Sequence, residues 1–222
     1  GVHSPTLWRE LGAVALVAGA APLALLRGGP SHSAAPPERA AASAGPLRVM
    51  ILCYAAFGFG YILPATFLPA MARQVIDDPS VFGLVWPAFG VAAAASTLIA
   101  MTAWAQANRL RCWALCQLAM AAGALLPSLW LSPATLAAAT LLIGGSFMVV
   151  TMLGMQEARA RAPHQATAVI GRMTAAFAIG QLAGPLTLAF APPGALNAAL
   201  QGAAAMLALS AAALWRLARR DP

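Results

Sequence analysis

Long apolar runs, separated by short polar or Pro-rich segments, organise this chain. The runs fall at about residues 11–26, 48–73, 81–105, 112–130, 133–155 and 168–190, and from the Pro192-Pro193-Gly194 turn to about 215. Each holds roughly 20 residues, enough at 1.5 Å per residue to cross a hydrocarbon core of about 30 Å. The pattern predicts an all-α membrane protein with seven transmembrane helices. Its punctuation agrees. Asp78 reads as a helix cap with Pro79 in the first turn, Pro133 opens another span, and QANRLR and QEARARAPHQ read as polar loops. Residues 28–46, GGPSHSAAPPERAAASAGP, are too rich in Pro, Gly, Ser and Ala to pack as a span, and form the main boundary.

The span at residues 48–73, RVMILCYAAFGFGYILPATFLPAMAR, differs from a plain anchor. Arginines bracket it and no charge lies between them. Gly58 and Gly60 weaken the helix locally, and Pro64 and Pro69 each remove a backbone donor. Tyr54, Tyr61 and Thr66 carry hydroxyls that lipid would leave unsatisfied. A span that is breakable and polar at mid-depth is expected to line something wet or mobile.

Composition reinforces the membrane assignment. Of 222 residues, 61% are hydrophobic and 9% charged, and the mean hydropathy is +0.77; a soluble domain of this size has too little interior for that. The net charge of +7 comes from thirteen arginines, with no lysine, against six acids. Those arginines sit at span ends, which argues against nucleic acid and for orientation in a bilayer. Alternate loops place Arg27, Arg39, Arg48, Arg109, Arg111, Arg159, Arg161, Arg216, Arg219 and Arg220 on one side. The other side has Arg9 and Arg73 with Glu10, Asp77 and Asp78. The linker and C-terminus are therefore expected in the cytoplasm. Trp8, Trp86, Trp104, Trp113, Trp130 and Trp215 fall near span ends, as an interfacial belt would. Cys53, Cys112 and Cys116 read as small core residues, because no ligand set for a metal surrounds them. No cofactor is expected.

One span, a cytoplasmic linker and six spans divide the chain into residues 1–27, 28–47 and 48–222. Six spans are one repeat of a two-lobed transporter. The first span would then be the last helix of an N-terminal half, and the chain a fragment. At this point the sequence resembles the major facilitator superfamily, in particular its YbfB/YjiJ-like bacterial group. The likeness rests on GFGYILPATFLPAMAR at 58–73 and GRMTAAFAIGQLAGP at 171–185, and extends over about 48–220. The superfamily's basic loop motif is reduced at 106–111 to Arg109 and Arg111. The resemblance implies secondary active transport of a small solute by alternating access in the bacterial inner membrane. It implies as partners the bilayer, an absent N-terminal six-helix half and an unidentified solute, with a proton as candidate coupling ion. A non-transporting membrane module, such as a split-gene remnant acting as an assembly subunit, is the rival reading.

Candidate residues follow from helical spacing. Tyr54, Gly58 and Tyr61 share one stripe that could face a cavity, or alternatively pack on a neighbouring helix. Thr66 lies about 120° off that stripe unless Pro64 rotates the upper segment. Arg172, inside a span but about one turn from its end, could hold an anion or reach the surface by its length. Gln181 shares a second stripe with Thr174 and Pro185. Gly60, Pro64, Gly184 and Pro185 are candidate hinge positions. Glu157, four residues before Arg161, is expected as a solvated ion pair, with a latch to Arg109 or Arg111 as the alternative. No nucleophile–base pair or phosphate loop occurs, so an enzyme is not expected.

Overall fold

The computed structural model describes residues 44–104, 106–192 and 194–220, together with Thr6, Arg9, Glu10, residues 12–14 and residues 16–18. The chain divides into two units, Gly1–Ala40 and Ala41–Pro222. The described residues of the first unit are helical. They include part of the expected first span, residues 11–26, the rest of which lies outside the described residues, as does most of the expected linker.

The second unit holds six long helices, α1 Ala44–Ala72, α2 Val85–Ala103, α3 Arg109–Leu129, α4 Pro133–Arg161, α5 Ala166–Ala189 and α6 Leu196–Arg220. All six are long and apolar enough to cross a membrane, and no strand occurs among the described residues. Helices suit this sequence because alanine and leucine dominate it, and because a bilayer interior leaves backbone groups no partner but their own helix. Several boundaries depart from expectation, each for a local reason. Helix α1 begins at Ala44, within the expected linker, because Pro46 in a first turn costs no hydrogen bond. Asp78 does accept from the Ser80 hydroxyl and amide, which holds its carboxyl below the usual range. The helix it opens, Pro79–Phe82, nevertheless stops after one turn. Pro87, in the first turn of α2, would crowd the carbonyl four residues back if the two were continuous.

Two further caps match their chemistry. Asn108 accepts from the Arg111 amide at 3.1 Å, and Ser132 and Thr135 form a reciprocal capping box ahead of α4. Helix α4 runs to Arg161, six residues beyond the expected end near Met155. Glu, Ala and Arg are good helix formers, and nothing breaks the run before Pro163.

The packing repeats internally. Helix α5 lies on α1 as α2 lies on α4; α1 meets α6 as α4 meets α3; α3 and α6 pack on each other. Exchanging the triplet α1–α3 for α4–α6 thus preserves the main contacts. Helices α1, α3, α4 and α6 carry most of the buried residues, while α2 and α5 are largely exposed. One tryptophan corrects the expected belt. Trp113 is fully buried rather than interfacial, because α3 starts at Arg109 and turns that position into the core.

Candidate functional site

Helix α1 touches α3, α4, α5 and α6, so its odd composition sits at the centre of the bundle rather than against lipid. It runs unbroken through the buried Pro64. The Tyr54–Tyr61 stripe forms one face, as its spacing predicts, and meets a cluster of aromatic rings. Tyr61 stacks on Phe147 of α4, with centroids 4.3 Å apart and planes at 28°. Phe57 lies 4.9 Å from Phe177 of α5, and Tyr54 meets Trp113 edge-on at 5.9 Å. Phe89 of α2 closes the group, 6.3 Å from Tyr61. Offset and edge-on contacts of this kind add about 0.5–1.5 kcal/mol per pair beyond area burial.

Gly58, in the same stripe, brings α1 onto α5. A Cβ there would collide with the backbone of Phe177, and one on Gly180 would collide with the carbonyl of Ala55. The two glycines therefore key the helices together reciprocally, as small residues do where no hydrophobic drive separates helix from lipid. Gly184 extends this contact against Ile62, and Gly60 turns the other way, onto Leu207 of α6.

A flank of α1 beside this stripe is braced by polar groups. The fully buried Gln117 of α3 donates through Nε2 to the carbonyl of Cys53 at 3.2 Å, and the Cys53 thiol points to the carbonyl of Ser210 on α6 at 3.6 Å. Gln117 Oε1, Trp113 Nε1 and Ser210 Oγ have no hydrogen-bond partner among the described residues. All three cysteines are buried, as a role in the core requires.

The remaining sequence candidates are dispersed. Tyr54 is sealed at 4% exposure, Tyr61 and Gln181 are half-buried, and Thr66, Thr174, Arg172 and Pro185 are exposed. Arg172 makes no ion pair among the described residues. Glu157 departs from its expected solvated state. Its side chain is 8% exposed and receives Arg109 Nε at 2.8 Å from α3 and Arg161 Nε at 2.6 Å from its own helix. Because α4 continues past Met155, this carboxylate is carried into the junction with α3 instead of into a loop.

The face can offer π surfaces and the hydroxyl of half-buried Tyr61, suited to orienting a flat or cationic solute group. Sequence reading missed Phe57, Phe89, Phe147, Phe177 and Gln117. The phenylalanines carry no polar mark among so many apolar neighbours, whereas a glutamine at mid-span was a usable signal. No group of His, Cys, Asp and Glu placed to hold a metal occurs among the described residues.

No curated protein and no solved structure matches the chain. The family described as "Uncharacterised MFS-type transporter YbfB" matches residues 1–215. With that match over nearly the whole length and six apolar helices in one bundle, this multi-pass membrane protein belongs to the YbfB-like family of MFS-type transporters.

Proposed function

We propose that the chain supplies a six-helix lobe of a secondary active transporter, which moves a small solute by alternating access against a companion N-terminal lobe. The observation that carries this reading is the position of α1. Its breakable, hydroxyl-bearing segment sits inside the bundle, with half-buried Tyr61 in contact with Phe57, Phe89, Phe147 and Phe177. Tyr61, Gln181 and Thr66 are the pathway groups with some access, and Tyr54 and Gly58 back them from behind. Arg172 serves the path only if an anion reaches it. Gly60 and Pro64 on α1, with Gly184 and Pro185 on α5, are the proposed bending points. Among the described residues of the six helices the one acid is Glu157, bound by two arginines at one end. A proton-coupling carboxylate, if the carrier uses one, is therefore assigned to the companion lobe. The ten-to-two arginine split supports a bacterial inner membrane orientation with the C-terminus in the cytoplasm.

The test uses Tyr61→Cys in inside-out and right-side-out vesicles holding the intact protein. The native cysteines are buried, so an impermeant thiol reagent reports the new one. Modification from both aqueous sides is expected of a position that alternates. Modification from neither side overturns the assignment of Tyr61 to the path. A reporter fused after Arg220 checks the orientation.

A further inference from the structure

The seam between α3 and α6 carries a concavity of its own. It is an open groove of about 340 Å³, lined by Leu118 of α3 and by Ala208, Ala212, Trp215, Arg216 and Arg219 of α6. On α6 these positions follow at four, three, one and three residues, so they form one stripe that runs for about 16 Å along the helix. Its deep end is alanine, which leaves a trough where longer side chains would fill the seam. Its outer end carries two exposed guanidiniums, and neither Arg216 nor Arg219 makes an ion pair among the described residues. Half-buried Trp215 lies where the apolar floor gives way to charge.

We infer that this trough binds an anionic phospholipid, its phosphate on Arg216 and Arg219 and one acyl chain along the alanine floor. Three features select that occupant. An apolar trough on a membrane-spanning helix meets acyl chains before any other ligand. Two exposed guanidiniums at its mouth match a phosphate in planar, bidentate fashion, and basic pockets between spans suit acidic headgroups. A zwitterionic headgroup would bring its own ammonium against the same arginines. Tryptophan at the junction fits the depth where headgroup and tail meet. The inference is independent of whether α1 lines a transport path.

The intact protein is purified, delipidated, and mixed with phosphatidylglycerol or phosphatidylcholine. Retained lipid is read by native mass spectrometry. Phosphatidylglycerol should be retained over phosphatidylcholine by about tenfold, a ratio that charge-assisted hydrogen bonds readily supply. The double variant R216Q/R219Q should abolish that preference. Ala212→Phe, which fills the trough and leaves the charge intact, should lower retention of both lipids. All three positions are exposed, and thermal unfolding without added lipid confirms that each variant folds. Equal retention of the two lipids by the unaltered protein overturns the proposal. So does a preference that survives R216Q/R219Q, or unchanged retention in Ala212→Phe.

Discussion

Helices α5 and α2 hold equivalent places in the two triplets, yet they are seated differently. Helix α5 is locked to α1 at two backbone contacts, Gly58 on Phe177 and Gly180 on Ala55, with Gly184 on Ile62 beyond them. Helix α2 has one such key, Gly144 of α4 against the backbone of Phe89, and Gly145 nearby is only in ordinary contact with Ala92 and Ser96. Two keys fix both separation and register, whereas one fixes separation alone. Helices α1 and α5 are thus expected to move as a unit, while α2 retains freedom to slide along α4. An internally repeated architecture need not be mechanically symmetric.

The largest expected effect comes from Gly58→Ala combined with Gly180→Ala. Each added methyl meets backbone, which cannot rotate away, so the helices must part. Overpacking of this kind costs about 1–3 kcal/mol per site. Thermal unfolding in detergent should show a clear loss for each single variant and a larger one for the pair. An unshifted midpoint in Gly58→Ala would remove the close approach on which the contrast rests. Gly144→Ala should cost less than the pair, near the lower end of the same range, because α2 can translate along α4 and restore its contacts. An equal or greater loss would show that α2 is the firmly seated helix.

Glu157→Gln tests a bond of another kind, between α3 and α4. Two arginines lose a buried partner, but the Arg109 side chain is 44% exposed and water replaces much of its contact. The expected loss is about 1 kcal/mol, and a double-mutant cycle with Arg109→Gln measures the coupling directly. A coupling near zero would make the charge pair incidental and leave the α3–α4 seam to apolar packing alone.

These contrasts were only partly legible in the sequence. Hydropathy located all six helices, and the Pro–Gly punctuation located α1 as the unusual one, because bilayer thickness imposes length on a span and proline imposes a cost. Spacing also put Tyr54, Gly58 and Tyr61 on one face. What faces what was not legible. Trp113 lies near a span end like Trp86 and Trp130, and only the packing of α3 turns it inward while they stay exposed. Phe147 and Phe177 are single rings in alanine-rich helices, and their meeting with Tyr61 depends on how helices far apart in sequence pack together. Glu157 reads as a solvated pair with a latch to Arg109 as the alternative, and the structure takes the alternative because the six residues after Met155, polar enough to read as loop, continue α4.

The smallest stability effect should come from Gly184→Ala, and it separates packing from motion. A methyl there presses on Cγ2 of half-buried Ile62, a side-chain atom rather than backbone, and meets Leu63 Cγ and the Phe59 carbonyl only in ordinary contact. The helix gains roughly 0.5–1 kcal/mol from replacing glycine, so the net change should lie close to zero. If α5 bends beside Pro185 during transport, that same stiffening should slow solute flux while the unfolding midpoint stays put. Flux equal to that of the unaltered protein would instead assign the bending to Gly60 and Pro64 of α1, below the keyed contact with α5. The two helices would then still travel together above that point, and the asymmetry between α5 and α2 would have its mechanical use in α1 alone.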